Sequence, residues 1–101
     1  MQRKINRVIE ALQPYKPEKI YLFGSLARGE GDDLSDLDIV VIKRTRVRFL
    51  DRLRQVAGLL PLSLGGIDIL VYTPQEFARM QKEGNAFVEM ILDEGKLIYG
   101  R

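Results

Sequence analysis

The chain has 101 residues, 46% of them hydrophobic and 30% charged, and 16 Lys and Arg against 14 Asp and Glu leave a formal charge of +2. It contains no cysteine and no histidine, which excludes thiol catalysis, a Cys/His zinc site, a disulfide framework and a histidine general base. Any catalysis must therefore use carboxylates, hydroxyls, cations or a bound metal. Length and composition predict one globular domain over residues 1–101. No stretch approaches the roughly 18 consecutive apolar residues of a membrane span, and Met1-Gln2-Arg3-Lys4 leads into an amphipathic pattern rather than a signal peptide, which predicts a cytoplasmic protein. The small net charge conceals a segregation. Five acids, Glu30, Asp32, Asp33, Asp36 and Asp38, precede six bases, Lys43, Arg44, Arg46, Arg48, Arg52 and Arg54, so an acidic centre adjoins a basic flank.

Ile5, Val8, Ile9 and Leu12 recur at helical spacing and predict an amphipathic helix over 3–13, stopped by Pro14. Lys19-Ile20-Tyr21-Leu22-Phe23 reads as a short buried strand ended by Gly24, and Ser25 to Arg28 as a single helical turn with Ser25 near its N-cap. Asp38-Ile39-Val40-Val41-Ile42 is β-branched and almost wholly apolar, as a central strand buried on both faces requires. Val47, Leu50, Leu53, Ala57 and Leu60 predict a helix across 46–60. Ile67 to Tyr72 is a third strand, Thr73-Pro74-Gln75-Glu76 carries the signals of a capped helix start over 74–82, Phe87, Met90 and Ile91 mark a last helix ended by Gly95, and Lys96-Leu97-Ile98-Tyr99 is an edge strand. The order of elements predicts an α+β fold, an α/β sandwich with helices packed on a mixed sheet.

The chemistry concentrates between Phe23 and Val41. Two residues apart on a strand means the same face, about 6.6 Å along the chain, so Asp36 and Asp38 aim their carboxylates at one point. Two anions so placed call for a cation, and magnesium suits hard oxygen ligands completed by phosphates and water; the alternative is a turn-capping Asp36 and a solvated Asp38. Asp68 stands within an apolar strand, where an unpaired buried carboxylate costs several kcal/mol. It would join the other two if the strands of 38–42 and 67–72 are neighbours, or else lie on an exposed edge or pair with an arginine such as Arg28. Gly24-Ser25 leaves a strand for a helical turn, where bare backbone N–H groups and a hydroxyl favour phosphate.

Taken together, Gly24-Ser25-Leu26-Ala27-Arg28-Gly29, ten residues from Ser25 to Asp36, Ser35-Asp36-Leu37-Asp38, and Asp68 resemble the minimal nucleotidyltransferases (MNT) of the DNA polymerase β superfamily, which includes the kanamycin nucleotidyltransferase type. The resemblance covers nearly the whole chain. It implies the nucleotidyltransferase fold, two Mg²⁺ ions held by Asp36, Asp38 and Asp68, and ATP as substrate, with Gly24 and Ser25 on the β/γ-phosphates and Arg28 as a further phosphate contact. MNT antitoxins are encoded beside a HEPN-domain partner, and some transfer AMP from ATP onto a tyrosine of that partner. The resemblance thus implies an antitoxin in a hetero-oligomer with a HEPN protein. A binding antitoxin that occludes its partner without catalysis, and transfer to a small molecule or RNA, are the alternatives. The basic run from Lys43 to Arg54 reads either as a solvated helix face or as a docking surface for an acidic partner; without clustered aromatics, nucleic acid is the weaker partner there.

Overall fold

A computed structural model describes residues 2–24, 26–29 and 36–100. Helix α1, Gln2–Leu12, buries Ile5, Val8 and Leu12, the stripe its sequence spacing announces. Pro14 does not stop the chain at once. A 3-10 turn, Gln13–Tyr15, takes the proline in its first positions, where a missing N–H costs nothing, and carries Tyr15 into the core. Lys16, at φ 56°, then turns the chain toward strand β1, Lys19–Phe23.

Strand β2, Leu37–Ile42, pairs antiparallel with β1, so that Phe23 faces Asp38. Helix α2, Phe49–Ala57, leads to a 3-10 turn at Leu62–Leu64 and strand β3, Ile67–Tyr72, which runs parallel to β2 with Asp38 beside Asp68. Helices α3, Pro74–Lys82, and α4, Ala86–Glu94, follow. Strand β4, Lys96–Tyr99, closes the sheet antiparallel to β1, giving the order β3-β2-β1-β4. The sheet is mixed, as expected, and β3 and β4 are its edges.

Alternation along the strands sends side chains to two cores. Leu37, Ile39 and Val41 of β2 pack with Ile5, Val8, Leu12 and Val56 beneath α1 and α2. Val40 and Ile42 pack on the other face with Phe77, Val88 and Ile91 of α3 and α4. Ile39, Val40, Val41 and Ile42 are all buried, which is why β2 reads as a continuous apolar run.

Two boundaries differ from the sequence reading. The second helix begins at Phe49 rather than 46, because Arg48 is extended at φ −63° and ψ 149°. Val47 contributes to the periodicity from a non-helical position. The helix also ends at Ala57; Leu59 and Leu60 still pack on the core from the following turn. The Thr73-Pro74-Glu76 signal is realised in full. Thr73 Oγ1 accepts from the Glu76 N–H at 3.1 Å and Glu76 Oε1 accepts from the Thr73 N–H at 2.8 Å.

Candidate active site

Three strand ends meet at one edge of the sheet: the C-terminal end of β1 and the N-terminal ends of β2 and β3. Asp38 and Asp68 are register partners across the parallel pair, so their side chains leave the sheet on the same face. That face is shared with Val40 and Ile42 and lies toward α3 and α4. Asp36 precedes Asp38 by two residues, and its neighbour Leu37 donates its N–H to the Gly66 carbonyl at 3.1 Å, holding the start of β2 against the start of β3.

The carboxylates interact. Burial pushes the Asp38 carboxyl above the usual carboxylate range, and Asp68, close enough to share a hydrogen bond, and the charge of Asp36 push it further the same way. A group surrounded by its own charge sign retains a proton or takes a cation in its place. Carboxylate oxygens are hard donors of the type that magnesium takes, so the donor chemistry, though not a gathered ligand set, matches the ion implied by the sequence. Among the described residues no three acidic side chains are gathered so as to hold a metal ion; the contact is between Asp38 and Asp68, and Asp36 acts on Asp38 through its charge.

Two glycines make the arrangement possible. Gly24 has φ 78°, a left-handed value that glycine adopts without strain. A Cβ there would run into the Asp38 carboxylate, with Cγ at 3.2 Å. A Cβ on Gly66 would overlap the carboxylate of Asp36, with even the farther oxygen at 3.0 Å. Each carboxylate thus rests on a bare backbone. After Gly24 the chain makes the expected tight turn: Ala27 and Arg28 both donate N–H groups to the Gly24 carbonyl, at 3.1 and 3.3 Å. The Lys4 ammonium donates to the Gly66 carbonyl at 3.4 Å, tying α1 to the same loop.

Asp68 corrects one expectation. Its apolar neighbours in sequence suggest a buried carboxylate in need of compensation, but β3 is an edge strand and Asp68 is exposed. Solvent reaches its carboxylate, so burial alone does not demand a partner for it. What survives is the geometry, since it stands beside Asp38 in register. Arg28 pairs with Glu94 at 3.7 Å. Ser25 and the acids at Glu30, Asp32 and Asp33 lie outside the described residues. Arg52 also departs from the sequence reading of its basic run. Its side chain is 6% exposed and its Nη1 lies 2.6 Å from Glu76 Oε1, with further bonds to the carbonyls of Val47 and Val71.

The sequence reading missed Gly66 and Lys4 as parts of the site. A signal for Gly66 exists: it precedes Asp68 by two residues as Asp36 precedes Asp38, so pairing the two strands places Asp36 beside it. No signal of that kind marks Lys4, which the folding of α1 brings in from 62 residues away.

A four-stranded mixed sheet with carboxylates at the mouths of two parallel strands defines a nucleotidyltransferase fold. The model of the family "Polymerase beta, Nucleotidyltransferase" matches residues 6–101, and the chain belongs to that family. No curated protein sequence matches the chain. Among solved structures, a candidate nucleotidyltransferase from Sulfolobus solfataricus is similar at 24% identity and a TM-score of 0.70, over 100% of this chain and 81% of that one. A chain of a toxin–antitoxin complex with AMP-PNP is similar at 25% identity and a TM-score of 0.62, over 95% of this chain and 73% of that one. A chain of the Shewanella oneidensis complex of a tri-AMPylated HEPN toxin with an MNT antitoxin follows at 22% identity and a TM-score of 0.59, over 99% and 72%. Among the described residues no helix is long and apolar enough to cross a membrane.

Proposed function

We propose that this protein is an MNT-type nucleotidyltransferase that transfers AMP from ATP to a tyrosine hydroxyl of a HEPN-domain partner, and so acts as the antitoxin of a toxin–antitoxin pair. The observation that carries this reading is the approach of Asp68 to Asp38 in register, within the field of Asp36, with Asp38 seated on Gly24. The similar complexes with AMP-PNP and with a tri-AMPylated HEPN toxin support the choice of nucleotide and acceptor.

Asp36, Asp38 and Asp68 would hold magnesium, two ions by family analogy, and bound magnesium neutralises the triphosphate and makes the attacking hydroxyl more acidic. Gly24 and Ser25 receive the β- and γ-phosphates on backbone and hydroxyl donors. Arg28, exposed and paired with Glu94, would turn to a phosphate oxygen. The acceptor oxygen then bonds to the α-phosphorus, the α–β anhydride bond breaks, and pyrophosphate leaves in line. Asp68 completes the ligand set or receives the hydroxyl proton.

Incubation with α-labelled ATP, Mg²⁺ and a HEPN partner should label the partner, and the double substitution Asp36→Asn, Asp38→Asn should lower labelling by at least about a thousandfold, the scale of electrostatic stabilisation lost. Undiminished labelling by that variant removes the carboxylate assignment. Inhibition of the partner that persists in the variant and without nucleotide identifies occlusion instead.

A further inference from the structure

The end of the sheet opposite the carboxylates carries a feature that nucleotide transfer does not use. Between β2 and α2 the chain from Lys43 to Arg48 is neither helix nor strand, yet its exposure alternates strictly: Arg44, Arg46 and Arg48 are exposed while Lys43, Thr45 and Val47 are partly buried. The inward atoms are anchored. The Lys43 N–H donates to the Tyr72 carbonyl at 3.0 Å, the Arg44 N–H to Glu18 Oε2 at 2.7 Å, and the Val47 carbonyl accepts from buried Arg52 Nε at 2.8 Å. Thr45 Oγ1 accepts from the Val47 N–H at 3.1 Å, turning the ribbon into α2. Three arginines are thus exposed on a tethered backbone that bends at Val47. Among the described residues none of the three joins an ion pair.

Beside the ribbon lies an open recess of about 450 Å³ lined by Tyr15, Lys16, Lys43, Thr45 and Gln55, with the Lys43 ammonium 4.9 Å from the centre of the Tyr15 ring. Phe49, next after Arg48, packs against Tyr72 at 5.5 Å, so an aromatic pair stands at this end of the sheet that the sequence order did not reveal. Guanidinium favours phosphate oxygens through its planar donor fork. Exposed arginines with lysines and a partly buried aromatic pair at their flank match a flexible polyanion of phosphates.

We infer that the Lys43–Arg48 ribbon is a binding surface for the phosphodiester backbone of single-stranded nucleic acid, separate from the nucleotide site. Each neutralised phosphate of a single strand contributes about −0.7 to the slope of log K against log salt. Three arginines together contribute about −2, which between 50 and 200 mM salt is about a twentyfold change in affinity.

The test is fluorescence anisotropy of a labelled 12-residue uridine oligomer with the full chain across that salt range. Binding whose slope becomes shallower by about 2 in Arg44→Gln, Arg46→Gln, Arg48→Gln, and is restored by the corresponding lysine substitutions, supports the assignment. Far-ultraviolet circular dichroism confirms that the variants fold, as expected for exposed side chains. No binding, or binding with unchanged slope in the glutamine variant, overturns it. Capture of a labelled glutamate-rich peptide by the same arginines in preference to the oligomer also overturns it and assigns the ribbon to an acidic protein partner.

Discussion

Gly66 shows how much of the site rests on side chains that are absent. The position of the Asp36 carboxylate is possible because Gly66 has no Cβ. Gly66→Ala should displace Asp36 and lower transfer by about a hundredfold, the scale of a one-ångström misplacement. Circular dichroism and a thermal melt should show the fold retained. Arg52 and Glu76 are the corresponding pair for stability. The hydrogen bond from Arg52 holds the Glu76 carboxyl below the usual range, and bonds with Thr73 act in the same direction against the opposing effect of burial. Because Glu76 is more acidic folded than unfolded, the unfolded chain takes up the proton first as pH falls. The stabilisation is fully present above about pH 4.3 and is lost below it. Urea midpoints measured from pH 7 to pH 3 should show the loss. Arg52→Met should flatten that acid dependence and cost about 3 kcal/mol at pH 7, the lower end for a broken buried pair, since Glu76 remains 29% exposed.

At the scale of elements, the site depends on β2 and β3 being parallel neighbours. That pairing sets Asp38 beside Asp68 and keeps Asp68 on an edge where water reaches it. Asp68→Asn should therefore change unfolding free energy by less than about 0.5 kcal/mol, as exposed substitutions do. Transfer should still fall about a hundredfold through the loss of a base or ligand. Activity and urea denaturation measured on one preparation separate the two effects. Much of this level is legible in the sequence. The β-branched run of β2 announces a strand with two buried faces, and Thr73-Pro74-Glu76 announces the start of α3 and its capping box. The limits of α2 are not, because Val47, Leu59 and Leu60 pack on the protein from outside the helix and extend its apparent period.

For the molecule as a whole, closure of the sheet joins distant parts of the chain. Strand β4 pairs with β1 and places Ile98 and Tyr99 against the core formed by α1 and α2. Removing residues 96–101 should leave the β1 edge unpaired and convert a single cooperative urea transition into a broad one, read by circular dichroism and fluorescence together. The fold also separates charge. The carboxylates lie at the N-terminal ends of β2 and β3, and the exposed arginines follow the C-terminal end of β2, roughly 17 Å away along five residues of strand. Asp36 and Asp38 on one side and Arg44, Arg46 and Arg48 on the other stand at opposite ends of one central strand.

Local chemistry by itself determined the elements and the turn that follows Gly24, because periodicity, capping and turn signals act over a few residues. Residue type also limited any catalysis to carboxylates, hydroxyls, cations or a bound metal, since the chain has no cysteine or histidine. Exposure and partnership were decided only by the tertiary structure. Asp68 looks buried among its sequence neighbours but is open to water at a sheet edge, while Arg52 looks like any other base of its run but is enclosed against Glu76. The physical reason is the same for both: solvation depends on which element packs across a side chain, and that is set by strand order and helix packing rather than by adjacent residues.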